Sequence, residues 1–180
     1  MKWISFDWDY ITGDRSGREI GACARKCSRH CSGVASRGKE NGIYSSPRML
    51  LNSKRLLRIT KLLQRVSIMK AVFRDSHASI VRFLHKGDKV FHFDYHEDRY
   101  EPIDNKGYYG RLACGNWVTL VEKRGITVYD LEDRESRVPN GKYSLFVCWS
   151  RPYTNKRYDG ALLRLLGKLA CGVDFQAARA

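Results

Sequence analysis

Short apolar runs that suit β-strands alternate with helical segments along this chain of 180 residues. Runs rich in aromatic and β-branched residues predict strands at 3–8, 67–73, 89–94, 126–129 and 143–149. Helical periodicity predicts helices at 49–66, 77–84, 112–123 and 159–169. Alternation of this kind indicates an α/β fold, a single three-layer domain with a mostly parallel sheet.

The length fits one domain with a proper hydrophobic core. Residues 1–172 are expected to form it, and residues 173–180 are expected to be a weakly ordered tail. Residues 13–47 have no sustained periodicity and are dense in glycine, serine, cysteine and basic side chains. A loop of more than about 15 residues in a compact domain is usually functional or disordered.

The formal net charge is +14, and residues 1–70 hold 15 of the 33 basic side chains but only five of the 19 acidic ones. A basic half attracts polyanions such as nucleic acid. Tyr44 is the only aromatic residue between Tyr10 and Phe73, so base stacking by this half is weakly supported. The basic side chains are expected to form either a phosphate-binding patch or a solvated helix face. They are Arg25, Lys26, Arg29, Lys54, Arg55, Arg58, Lys61 and Arg65.

No apolar run approaches the roughly 18–20 residues that span a bilayer. The first residues reach Asp7 before an apolar signal segment develops, so we expect a cytoplasmic protein with no membrane partner. Six cysteines in such a chain are expected to be thiols or metal ligands rather than disulfides.

Acidic motifs follow two of the predicted strands. Asp7 and Asp9 close the first strand, and Asp94, His96 and Asp98 alternate where another strand ends. Alternate residues of an extended backbone point to the same side, and buried carboxylates are costly without a cation. This arrangement predicts a divalent metal site that suits Mn²⁺, Fe²⁺ or Zn²⁺, with enough oxygen ligands for two ions. The other interpretation is that these acids face water and pair with arginine and lysine.

His92 has the same parity as Asp94 but lies deeper in its strand, so we expect it to be buried and to hydrogen-bond a ligand rather than to bind the metal directly. Cys148 and the cysteines at 114 and 171 lie among apolar residues and are expected to be core thiols.

Three segments resemble the arginase and agmatinase (ureohydrolase) superfamily. Residues 5–9 resemble its S-F-D-x-D segment, residues 94–98 its D-x-H-x-D segment, and residues 75–79 its D-H-S segment. The first of these comes late in ureohydrolases and is permuted to the N-terminus here. The likeness is closest to small arginase-like proteins that carry a G-N-W helix start, which residues 115–117 match.

The resemblance implies an arginase-like fold and two metal ions, manganese or alternatively iron or zinc. It implies that His77, Asp94, Asp98 and Asp7 bind one ion, and that Asp94, His96, Asp7 and Asp9 bind the other. It further implies a metal-dependent hydrolase that cleaves a C–N bond of an amide, amidine or guanidine in a small-molecule or peptide substrate. The basic exterior predicts that this substrate is anionic.

Further residues complete the expected site. Asp14 and Glu97 are candidates for proton transfer, and Tyr108 and Asn116 for facing the substrate. The alternative function is a non-catalytic protein that binds nucleic acid or an acidic protein through its basic N-terminal half.

A cysteine cluster in the long loop is a second metal candidate. Cys23, Cys27, His30 and Cys31 offer enough donors for a structural zinc ion, although their spacing is not that of a standard finger. The alternative is a reduced loop that binds no metal.

Overall fold

The computed structural model describes residues 1–12, 51–74, 76–94, 97–99, 115–149, 158–167 and 174–176. Its strands are β1 (Lys2–Asp7), β2 (Ser67–Arg74), β3 (Lys89–Phe93), β4 (Thr127–Asp130), β5 (Lys142–Cys148) and β6 (Asp174–Gln176). Its α-helices are α1 (Asp9–Thr12), α2 (Ser53–Arg65), α3 (Trp117–Glu122) and α4 (Asp159–Gly167). Two short 3-10 helices span His77–Arg82 and Glu135–Arg137.

The strands form one sheet in the order β4-β3-β1-β5-β2-β6. Every neighbouring pair in it is parallel, which confirms the predicted α/β class. The apolar pattern does not predict β6, which lies in the segment expected to be a weakly ordered tail. Its three residues pair with Lys70–Val72 of β2. A strand this short has no readable periodicity, and its pairing with β2 defines it.

Three of the predicted helices differ in the structure. The helix predicted at 112–123 begins at Trp117, because residues 115 and 116 form a turn. α2 begins at Ser53 rather than at 49, because the Asn52 side chain accepts a hydrogen bond from the backbone N–H of Arg55 and caps the helix. The helix predicted at 77–84 is a 3-10 helix that ends at Arg82.

Alternate residues of each strand build two hydrophobic cores, one on each face of the sheet. Ile4 and Phe6 of β1 pack in the core that contains the buried leucines of α2 and α4. Trp3 packs in the opposite core, with Ile80 of the first 3-10 helix and Val118 of α3. The three expected layers are therefore present. No helix among the described residues is long and apolar enough to cross a bilayer.

The neighbouring strands β1 and β3 send the chain to opposite faces of the sheet. After β1 the chain reaches α2 on the Ile4 face, and after β3 it reaches α3 on the Trp3 face. When the connections after two neighbouring strands lie on opposite faces of a sheet, they leave a crevice at the carboxyl ends of those strands. Proteins of the α/β class bind ligands in this crevice. The ends of β1 and β3 are therefore the expected position of a ligand site.

Arg55 is buried, which corrects its assignment to a basic surface patch. Its guanidinium lies 4.2 Å from the centre of the Tyr10 ring and donates to the Tyr10 carbonyl, to Asp133 and to Glu132. These bonds need the turn at 131–134, which sequence periodicity does not predict. They fix α1, which directly follows β1, against the loop that follows β4.

Two further basic residues of α2 contact the same segment. Arg58 pairs with Asp133 and Glu135, and Arg65 donates to the backbone carbonyls of Glu135 and Val138. Lys54 and Lys61 are exposed. Arg55, Arg58 and Arg65 of α2 therefore make contacts within the protein.

Replacing Arg55 is expected to destabilise the protein. Burial alone would raise the pKa of Asp133, but its bond to Arg55 holds that pKa below the ordinary value. A carboxylate with a lowered pKa stabilises the fold above about pH 4 and loses this contribution as the pH falls further. We expect Arg55→Met to lower the free energy of unfolding at pH 7 by about 2–4 kcal/mol and to weaken its acid dependence.

Urea unfolding at pH 7 and at pH 3 measures both effects. Lys61→Met on the exposed side of α2 is the control and should change the free energy of unfolding by less than about 0.5 kcal/mol. Equal stability of the two variants would contradict the assigned role of Arg55.

Candidate metal centre

Four carboxylates are buried at the carboxyl ends of β1 and β3. Asp7 is the last residue of β1, Asp9 begins α1, Asp94 directly follows β3, and Asp98 lies four residues further on. Each is at most 7% exposed. Carboxylates are seldom buried to this extent unless they are paired or bind a cation.

His77 brings an imidazole to the same place from β2. It begins the 3-10 helix that follows this strand and is buried among the carboxylates. Its Nδ1 lies 3.3 Å from Oδ2 of Asp94 and 3.6 Å from Oδ2 of Asp7. Its Nε2 shares a 2.5 Å hydrogen bond with Oγ of Ser5 in β1.

These separations suit ligands of one ion. Two donors bonded at about 2.1 Å to the same cation lie about 3.0 Å apart at an octahedral angle and about 3.4 Å apart at a tetrahedral one. The distances from Nδ1 to the two carboxylate oxygens are close to this range, and they exceed the usual hydrogen-bond length of about 2.9 Å. The Ser5 bond orients the ring so that Nδ1 faces the acids, as partners behind a metal ligand commonly do.

The donors form overlapping groups, and within each group the ligand atoms lie within 4.8 Å of one another. The first group is His77 with His92, Asp94 and Asp98, the second is Asp7 with Asp9 and Asp94, and the third is Asp7 with His77 and Cys148. Asp94 is shared by the first and second groups, and Asp7 is shared by the second and third. These buried groups can hold a metal ion.

The electrostatics of the cluster favour a cation. Burial alone would lower the pKa of His77, but the carboxylates of Asp7 and Asp94 raise it to about 10. The surroundings of this imidazole therefore stabilise a positive charge. A divalent cation offers these acids a larger positive charge than a proton on the ring does.

Trp117 forms one wall of the centre. Its indole Nε1 donates a 2.6 Å hydrogen bond to Oδ2 of Asp98, and its ring stacks on His77 with centroids 5.2 Å apart. The backbone of Asp98 has a φ of 50°, a conformation that few residues other than glycine adopt. The tryptophan therefore orients a carboxylate whose backbone is itself held in a sparsely populated conformation.

The structure brings together five of the six predicted metal ligands: Asp7, Asp9, His77, Asp94 and Asp98. Glu97, a candidate for proton transfer, is exposed beside Asp98. Asn116, predicted to face the substrate, is buried directly before α3. The remaining predicted site residues lie outside the described residues: His96, Asp14, Tyr108, Cys23, Cys27, His30, Cys31, Arg25, Lys26 and Arg29.

Sequence reasoning missed Ser5, Trp117 and Cys148 as parts of the centre. Ser5 shares its strand parity with Asp7 and could have been found in that way. Cys148 reaches the centre only because β5 pairs with β1. His92 is buried as expected, and its Nε2 lies 3.9 Å from Asp94 and 4.0 Å from Asp98, which places it in a ligand group.

Comparison of the chain with protein-family models, with curated proteins and with solved structures found no match. The residues of the centre therefore carry the functional argument.

Removing the hydroxyl behind His77 is expected to weaken metal binding. In Ser5→Ala the imidazole loses the bond that orients Nδ1 toward Asp7 and Asp94, and a loss of this kind typically costs about 10–100-fold in metal affinity. Titration calorimetry of the metal-free protein with Zn²⁺ or Mn²⁺ measures this change.

Ser144→Ala is the matched control, because Ser144 is also buried in a central strand but pairs with Trp3, at the opposite end of β1 from Asp7. It should bind metal like the original protein. A Ser5→Ala variant with unchanged affinity would show that the hydroxyl does not support the centre.

Proposed function

We propose that this protein is a hydrolase with a dinuclear metal centre that cleaves a C–N bond. The observation that carries the proposal is that Asp94 belongs to two ligand groups at once. A carboxylate with two oxygens in this position can bridge two ions, which is the arrangement of two-metal hydrolytic sites.

The described residues divide between two ions. His77, Asp94 and Asp98 would hold the first, with Asp7 beside them. Asp7, Asp9 and Asp94 would hold the second, and His96 is its further ligand on the evidence of the sequence pattern alone. Mixed imidazole and carboxylate donors suit Mn²⁺, Fe²⁺ and Zn²⁺.

When bound, such ions lower the pKa of a water molecule and polarise the group that it attacks. The protein would position the reaction by holding its carboxylates at the ends of two strands and by stacking Trp117 on His77. We propose that Glu97 exchanges a proton between the centre and solvent, a role supported by its exposure next to the buried Asp98.

The choice of a C–N bond rests on the resemblance to ureohydrolases in three short segments. The choice of an anionic substrate rests on the charge distribution. Four of the 19 acidic side chains are withdrawn into the centre, so the rest of a chain with a net charge of +14 is more basic than that total indicates. A field of this sign draws anions toward the protein.

Metal content tests the proposal. Protein prepared without chelator and equilibrated with Mn²⁺ or Zn²⁺ should contain about two ions per chain by elemental analysis. Asp94→Asn should reduce the content to one ion or none, because it alters the shared carboxylate. Asp159→Asn is the control, since Asp159 lies in α4 and accepts a hydrogen bond from Trp149.

A metal-free original protein, or an Asp94→Asn variant with full metal content, would contradict the dinuclear centre. The reaction class is tested separately by following the release of ammonia, amine or urea from a panel of amides, amidines and guanidines. Activity that disappears on chelation and returns with metal supports the hydrolase, and metal-loaded protein inactive on the whole panel contradicts the choice of a C–N bond.

A further inference from the structure

Cys148 is the last residue of β5 and is the parallel-pair partner of Asp7 at the carboxyl end of β1. Side chains of paired residues in parallel strands point to the same face, so the thiol and the carboxylate lie side by side. Cys148 is 1% exposed. Its sulfur forms a group with a ligand atom of Asp7 and a ligand atom of His77, all within 4.8 Å of one another.

The imidazole in this group independently indicates a ligand. His77 is 2% exposed, and its Nδ1 makes no hydrogen bond with any residue in the described part of the chain. The same atom lies 3.6 Å from the Asp7 carboxylate that neighbours the thiol. A buried imidazole with one nitrogen that makes no hydrogen bond therefore belongs to the same group as the sulfur and the carboxylate.

Cys148 lies in a hydrophobic core, as predicted, and also belongs to a ligand group. In that core it packs with other residues on the same face of the sheet, such as Phe146 of β5. Cys148 stands at the edge of that core, where the strand ends and the acids begin. A sulfur within 4.8 Å of carboxylate and imidazole donors is a soft ligand within a set of harder ones.

We infer that Cys148 is a metal ligand and that it determines which metal the centre prefers. The inference rests on the proposed metal centre and adds the identity of the ion. Thiolate favours Zn²⁺ and Co²⁺ over Mn²⁺, because Mn²⁺ prefers oxygen donors. On binding, the thiol releases its proton to solvent and the sulfur bonds to the ion as the thiolate.

Cobalt spectroscopy tests the inference in a full-length variant whose other five cysteines are replaced by serine, so that Cys148 is its only sulfur from cysteine. Titration with Co²⁺ should produce a sulfur-to-cobalt charge-transfer band in the near ultraviolet together with the visible bands of bound cobalt. Adding Cys148→Ser should abolish the near-ultraviolet band and leave the visible bands.

Metal competition gives a second readout in the otherwise unchanged chain. Cys148→Ala should reduce the preference for Zn²⁺ over Mn²⁺ by at least about tenfold, since it removes the only soft donor in the three ligand groups. Circular dichroism establishes that each variant is folded. If Cys148→Ser does not fold, X-ray absorption of zinc in the single-cysteine variant replaces it, with a sulfur neighbour expected at about 2.3 Å.

The outcomes separate the two claims. The role of Cys148 would be overturned by cobalt bound without a sulfur band, by zinc without a sulfur neighbour, or by an unchanged metal preference in Cys148→Ala. None of these results would contradict the metal centre itself. Failure of the original protein to bind any of the three ions would overturn the centre itself.

Discussion

The burial of four carboxylates at one edge of the sheet is the constraint on which the rest of the structure depends. Asp7, Asp9, Asp94 and Asp98 are nearly inaccessible to solvent and lie around two histidines. Even if both histidines were protonated, these six residues would carry two net negative charges. Like charges buried together are unfavourable unless a cation joins them. The proposed metal centre rests on this imbalance and on the short distances between the donor atoms.

The carboxylates come from the carboxyl ends of two strands, β1 and β3. β1 and β3 are neighbours in the sheet, yet their following helices pack on opposite faces, which opens the crevice between their ends. The buried Arg55 holds α1, and with it the start of this helix at Asp9, against Asp133 and Glu132. Trp117 orients Asp98 from the other face. The centre is therefore supported by both hydrophobic cores.

Local pattern predicts the parts of the structure that depend on neighbouring residues in the chain. The sequence pattern predicts that Asp94 and Asp98 act together, although Asp98 lies beyond the end of β3 and has a positive φ rather than an extended backbone. The apolar runs predict five of the six described strands. Sheet order is not a local property, so the approach of Cys148 to Asp7 through the β1–β5 pairing could not be predicted. The burial of Arg55 depends likewise on a distant turn, although its sequence neighbours are typical of an exposed basic helix.

Thermal unfolding of the full chain with and without metal tests the central claim most directly. Only the folded state brings the donors of β1, β2 and β3 together, so bound metal should stabilise it by about 2.7 kcal/mol when the free ion is at 100 times its dissociation constant. We predict a Tm that falls on chelation and rises steadily with the logarithm of the added Zn²⁺ or Mn²⁺ concentration. A Tm that is the same in chelator and in saturating metal would contradict the account.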